Sequence, residues 1–164
     1  ILLIGAEPEV PYERPPLSKS VMTAEEQPPL LCTPEILREQ RIDSRPDTAA
    51  KRLASRQHEL VVMDGSTVRY DRLLLATGAT ARSWTVPGGR HTHVMRDVAD
   101  AKRLRATLNS GSRVVLIGAG FIGLELAANA VARGCCVTCL LSPSDAADDM
   151  QCVDLGGLRF LKKQ

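Results

Sequence analysis

No apolar stretch of this chain reaches the roughly 20 residues that a membrane-spanning helix needs, and LLLATGA at 73–79 falls far short of it. No secretory pattern opens the sequence. A long basic run is lacking too, and a net charge of +2 favours no nucleic-acid partner. Five cysteines are present, Cys32, Cys135, Cys136, Cys139 and Cys152, but the number is odd and no two form CxxC. That argues against a disulfide framework, a zinc site and a dithiol redox centre. Cys135, Cys136 and Cys139 stand in or beside an apolar strand, where cysteine serves as a small hydrophobe. His91 and His93 alternate but have no third candidate ligand nearby, so they read as exposed polar residues. Internal repeats and low-complexity tracts are absent. So is an initiating methionine: Ile1 stands inside what reads as a strand, and the expectation is of a piece of something longer. The class these absences leave is a cytoplasmic globular protein with no membrane and no nucleic-acid partner.

What is present is a chain of 164 residues, 44% hydrophobic and 24% charged, an ordinary globular balance. ILLIG at 1–5 reads as a buried parallel strand ending at acidic Glu7. PYERPPLSKS at 11–20 follows it. Pro11, Pro15 and Pro16 each fix φ and remove a donor, which predicts a stiff, extended arm aiming Arg14 and Lys19 at something anionic, or else a plain connector. Thr33-Pro34 predicts the start of a helix over TPEILREQ. TAAKRLAS, HELVVM, TVRY and RLLLAT read as short strands of a β-meander with a turn at Asp64-Gly65-Ser66, the last strand ending at ATGA. Residues 80–91 read as a loop. Asp97 predicts the start of a helix with Val98, Ala101, Leu104 and Leu108 on one face and Gly111 as its stop. The tail after Met150 shows no usable period.

The clearest segment is RVVLIGAGFIGLELAANAVARGCCVTCLL. Gly118, Gly120 and Gly123 form GxGxxG between a predicted strand and a predicted helix, and Gly134 leads on to a second strand. In this βαβ context each glycine has its own role. Gly118 allows a tight turn, Gly120 lets backbone approach a pyrophosphate, and Gly123 lets the helix pack on the strand. Glycine used for packing alone is the blander account. The helix N-terminus then offers unpaired N–H groups to phosphate oxygens. Where an acidic residue would accept from the ribose 2′-OH, the sequence has Leu141 and Ser142, with Asp145 the nearest acid and no basic residue before Arg159. NAD is therefore favoured over NADP. ILLIG followed by Glu7 looks like the second strand of another βαβ unit, with Glu7 as its ribose ligand or simply a solvated strand-end charge. The fold class is α/β with two Rossmann-like dinucleotide-binding units, one partial unit with a β-meander at 1–97 and a second partial unit at 98–150, followed by an unassigned tail at 151–164.

PYERPPLSK, YDRLLLATGA and VVLIGAGFIGLELAA, in that order and spacing, resemble the FAD-dependent ferredoxin reductases, and most of all the NADH-dependent reductase components of bacterial aromatic-ring dioxygenases of the phenylpropionate/cinnamate type. The resemblance covers roughly residues 1–141. It implies an FAD domain interrupted by an NAD domain, so that 1–97 is a partial FAD domain and 98–150 a partial NAD domain. It implies too hydride transfer from NADH to flavin, and electron delivery to a 2Fe–2S ferredoxin that feeds an oxygenase. It also implies family segments before Ile1 and after the NAD half-domain, and SPSDAADDMQCVDLGGLRFLKKQ does not follow the family pattern. Carried over by position, Glu7 meets the adenosine ribose, Ala50 the adenine end, Arg14 and Lys19 the FAD, Ala76, Thr77 and Gly78 the flavin side, and Arg96 the cofactor at the domain crossover. Gly118, Gly120, Phe121, Ile122 and Gly123 hold NADH.

Glu125 is the only charge in FIGLELAANAVA, and a carboxylate on so apolar a helix needs a partner. Lys19, expected to point inward, is the partner expected, across the boundary between the two domains and beside the flavin. There its charge would meet the negative charge that hydride transfer develops. Two functions follow from these readings: a ferredoxin reductase present as a truncated piece, or a nucleotide-binding module without turnover. Flavin colour in the purified chain separates them, and weak or no FAD binding is expected of the chain alone. NADH is expected to give a higher kcat/KM than NADPH in the parent protein, and Leu141→Glu to sharpen that preference, since a carboxylate accepts from a 2′-OH and repels a 2′-phosphate. Steady-state kinetics with both cofactors checks this, and a higher kcat/KM with NADPH contradicts it.

Overall fold

The computed structural model describes residues 1–24, 26–82 and 85–140, together with the backbone of 152–154 and 159–161. The chain divides into two compact units, Ile1–Glu13 with Pro29–Ala79 and Arg14–Pro28 with Thr80–Gln164.

In the first unit β1 (Leu2–Ile4) runs parallel to β2 (Asp43–Arg45), with Leu2 opposite Asp43 and Ile4 opposite Arg45. The parallel pairing agrees with the sequence, but the expected burial does not. Ile1 is 87% exposed and Leu3 39%, because β2 is the only ladder neighbour of β1 among the described residues. Helix α2 (Pro34–Glu39) starts as expected, with Thr33 Oγ1 accepting from Ile36 N at 3.4 Å, and it buries Leu37. β2 went unforeseen. Asp-Ser-Arg is polar and wholly exposed, so its strand state arises from the β1 ladder and leaves no alternation to read.

The meander is β3 (Ala50–Ala54), β4 (Glu59–Val62) and β5 (Thr67–Arg69), antiparallel in that order. Alternation along β4 buries Leu60 and Val62. At the turn Gly65 takes φ +88° and Ser66 N–H donates to Asp64 Oδ1 at 2.7 Å, a bond that holds the Asp64 carboxyl below its usual range. RLLLAT is not a strand. No described residue forms a ladder with 72–77, and Leu74 and Leu75 remain 86% and 64% exposed. An apolar β-prone run has strand propensity, but a strand exists only through a neighbour's hydrogen bonds.

The second unit contains the proline segment from Arg14 onward. Arg14 sits in the right-handed helical region, and Pro15–Ser18 forms one 3-10 turn instead of the expected extended arm. The φ that proline imposes suits the first turn of a helix as well as an extended chain. Helix α1 (Ser20–Thr23) follows, with Leu17, Val21 and Met22 buried. Helix α3 (Val98–Thr107) buries Val98 and Ala101, with Leu108 buried just beyond it, the face the spacing predicts. β6 (Arg113–Ile117), α4 (Phe121–Ala132) and β7 (Cys136–Leu140) form the anticipated βαβ unit, with β6 and β7 parallel. Along β7, Val137 and Cys139 face inward and Cys136 outward, while Cys135 is buried just before it. In the tail, two strands of three residues, β8 (Cys152–Asp154) and β9 (Arg159–Leu161), extend this sheet antiparallel, each too short to show a period.

Two arginines stitch the helices together. Arg105 Nη1 on α3 donates to the Val21 carbonyl at 3.0 Å. Arg133, just beyond α4, donates to the Met22 carbonyl at 3.3 Å and to the Leu108 carbonyl at 3.0 Å. The start of α3 is a full capping box. Asp97 Oδ1 accepts from Asp100 N at 2.7 Å, while Asp100 Oδ2 accepts from Asp97 N at 3.3 Å and from Arg96 N at 2.9 Å. Asp100 is buried at 6% exposure and pairs with Arg103. Asp97→Ala is expected to cost about 1 kcal/mol as a lost cap. Asp100→Ala should cost more, because it strands two backbone donors. Urea unfolding measures both, and equal costs would show that the second backbone donor held by Asp100 adds nothing beyond a single cap.

Candidate functional site

The glycine-rich turn is built from β6 upward. Gly118 N donates to the Leu140 carbonyl at 2.8 Å, which carries the β6–β7 ladder one step past the strand, and the chain then turns at Gly118 with φ +105°. Any other residue there would be strained. Gly120 is extended, caps α4 without a side-chain hydrogen bond, and has open space where a β-carbon would stand. At Gly123 the reverse holds: a β-carbon would overlap the Gly118 carbonyl oxygen, so α4 packs on the turn that precedes it only because this residue is glycine. Phe121 is 89% exposed and Ile122 53%, so both flank an open helix N-terminus. These residues fit a dinucleotide pyrophosphate: donors unpaired by side chains, a backbone open to approach, and a dipole that favours negative charge. Leu141, Ser142 and Asp145, on which the ribose reading turns, lie outside the described residues.

One turn further along α4 is Glu125. Its Oε1 lies 3.6 Å from Lys19 Nζ, and its Oε2 accepts from Ser18 Oγ at 2.5 Å. The ion pair anticipated from the sequence is therefore present. One feature of it differs from expectation: Lys19 does not point inward, its side chain being 58% exposed against 33% for Glu125. Both residues belong to the second compact unit.

Arg14 Nη1 donates to the Arg96 carbonyl at 2.6 Å, directly before the α3 capping box. A cleft of about 320 Å³ brings Arg14, Lys19, Arg96, Phe121, Ile122 and Glu125 together, with Leu17 and Met95 supplying apolar wall. Cations over an apolar wall fit a planar ring system that gains negative charge. Glu7, Ala50, Ala76, Thr77 and Gly78 belong to the first unit. Glu7 Oε2 accepts from the hydroxyl of buried Tyr12 at 2.5 Å. The Glu7 carbonyl accepts from Asp47 N at 2.9 Å, and the Gly5 carbonyl from Thr48 N at 2.7 Å, which brings the Glu7 end of β1 to the segment leading into β3 at Ala50. Ala76, Thr77 and Gly78 are exposed and form no ladder with any described residue.

Ser18, Asn129 and Tyr12 went unnoticed in the sequence. For Asn129 a signal existed, since Glu125 and Asn129 are the only polar side chains of α4 and stand four residues apart, on one face. Ser18 and Tyr12 carry no such signal. His91 and His93 are exposed, and among the described residues no cluster of His, Cys, Asp or Glu could hold a metal ion. No described helix is long and apolar enough to cross a membrane.

The pyridine nucleotide-disulphide oxidoreductase family model matches residues 1–150, and the chain belongs to that family. It is 38% identical over 141 residues to the 3-phenylpropionate/cinnamic acid dioxygenase ferredoxin–NAD(+) reductase component of Photorhabdus laumondii, an alignment covering 84% of this chain and 36% of that protein. It is 42% identical to the anthranilate 1,2-dioxygenase system ferredoxin–NAD(+) reductase component of Burkholderia cepacia, covering 84% of this chain and 35% of that protein. Among solved structures, the covalent putidaredoxin reductase–putidaredoxin complex matches with a TM-score of 0.76 at 33% identity, over 85% of this chain and 35% of the matched one. The chain spans about a third of the length of the curated relatives it matches.

Gly123→Ala should abolish NADH binding by forcing α4 away from the Gly118 turn. Isothermal titration with NADH checks it, and wild-type affinity would show that the helix can shift without losing the site.

Proposed function

We propose that the intact protein is a cytoplasmic, NADH-dependent, FAD-containing reductase that passes electrons to a 2Fe–2S ferredoxin of an aromatic-ring dioxygenase system. The observation that carries this reading is the shared cleft, in which the N-terminus of α4 after GxGxxG and the Lys19–Glu125 pair stand side by side. The names of its relatives, reductase components of dioxygenase systems, support the partner and the pathway class. Residues 1–97 are assigned to FAD binding and 98–150 to NAD binding.

Gly118, Gly120 and Gly123 would hold the NADH pyrophosphate, with Phe121 and Ile122 beside the nicotinamide half. Glu7 would take the adenosine ribose of FAD and Ala50 its adenine end. Arg14, Arg96 and Ala76–Gly78 would border the flavin. Bound FAD supplies hydride acceptance from NADH and single-electron release to the ferredoxin. The chain's own contribution is positional. Glu125 orients the Lys19 ammonium, and the open Gly120 turn lets the nucleotide's phosphates reach backbone donors. Lys19 then holds positive charge beside the reacting ring before any charge develops, so no reorganisation is needed.

Lys19→Met in the intact holoenzyme is expected to slow flavin reduction by NADH in stopped flow, by about 10- to 100-fold for the loss of a preorganised charge. The unaltered holoenzyme should reduce a dioxygenase ferredoxin at NADH's expense. An unchanged reduction rate would reduce the proline turn to a connector, and failure to reduce any such ferredoxin would overturn the proposed partner.

A further inference from the structure

Lys19 is more than half exposed, and a lysine–carboxylate contact at 3.6 Å with that exposure fixes little by itself. Lysine has a flexible stem and a point charge, so its geometry must be imposed from elsewhere. The carboxylate side of the pair is far better held. Asn129, one helical turn beyond Glu125, donates from Nδ2 to the Ser18 carbonyl at 2.6 Å. Ser18 Oγ in turn donates to Glu125 Oε2 at 2.5 Å, leaving Oε1 to Lys19. Ser18 is only 5% exposed, so its hydroxyl has little water to turn to if that bond breaks. One short stretch of chain, Ser18-Lys19, is thus gripped twice by one stripe of α4.

We infer that Ser18 and Asn129 are positioning residues that clamp the Glu125 carboxylate, and through it the Lys19 ammonium, in the geometry needed for hydride transfer. Asn129 sets where the Ser18 backbone lies, Ser18 sets the plane of the carboxylate, and the carboxylate sets Lys19. The inference rests on the proposed role of Lys19 and Glu125 at the flavin.

The test uses the intact protein labelled with ¹³C-lysine, with Lys19→Met identifying the Lys19 ε-carbon resonance, whose relaxation reports how tightly the side chain is held. Ser18→Ala frees the Glu125 carboxylate, so the Lys19 order parameter should fall. Asn129→Ala should lower it by a smaller step, and flavin reduction should slow in both variants with KM for NADH unchanged. In a Glu125→Gln background the Ser18→Ala effect on both readouts should disappear, which a merely structural role would not produce. Asn129→Ala puts the best helix former on α4 and carries the test if Ser18→Ala does not fold. Unchanged Lys19 order parameters in the folded variants overturn the clamp, even where Lys19→Met still slows reduction. Lowered order parameters with wild-type reduction rates in Lys19→Met and Glu125→Gln would instead leave the clamp standing and overturn the site assignment beneath it.

Discussion

The close approach of α4 to the turn that precedes it is the constraint from which the second unit is built. Because Gly123 has no side chain, the helix begins almost against the turn at Gly118. That contact fixes the axis of α4, and the axis decides which residues face the turn at Pro15–Ser18. Glu125 and Asn129 meet Ser18-Lys19, while Leu126, Ala127 and Ala130 are buried. A single packing condition therefore serves two ends. It leaves the helix N-terminus open for phosphate, and it delivers a carboxylate to a lysine more than 100 residues earlier in the chain.

The energies of these interactions differ in kind. An exposed lysine–glutamate pair is worth at most about 1 kcal/mol, so Lys19–Glu125 is no pillar of stability. The hydrogen bonds around buried Ser18 and buried Asp100 matter more, because a broken one leaves a polar group without water. Both networks reach the cleft, one through Ser18 and one through Arg96. Asp100 gathers the N–H groups of Arg96 and Asp97, and the Arg96 carbonyl carries the Arg14 guanidinium. The cations that border the cleft are thus held by residues of its own wall, Arg14 by the Arg96 carbonyl and Lys19 by Glu125.

Residue order reveals whatever local chemistry decides. The βαβ unit, the Asp97 cap, the Thr33 cap and the Asp64-Gly65-Ser66 turn each need only a few neighbouring residues, and each stands where those residues predict. The Lys19–Glu125 pair is legible because an apolar helix has few reasons to hold one charge. What residue order hides depends on distant partners. RLLLAT has strand propensity but no ladder neighbour among the described residues, and Asp43–Arg45 is a strand only because β1 lies beside it. The proline segment misleads for a different reason: proline's φ is shared by the extended chain and the first turn of a helix, and tertiary packing of Leu17 and Ser18 chooses the latter. Ser18 is invisible because a lone serine in a turn says nothing about what it will face.

Helix α1 is only four residues long, and in isolation so short a helix would not persist. Its carbonyls at Val21 and Met22 are taken by Arg105 and Arg133, one from α3 and one from the end of α4. The turn that presents Lys19 is therefore tied to two other helices by guanidinium groups that cannot lose their charge at any physiological pH. Amide exchange in α1 is therefore expected to follow the opening of α3 and α4 and not to outpace it.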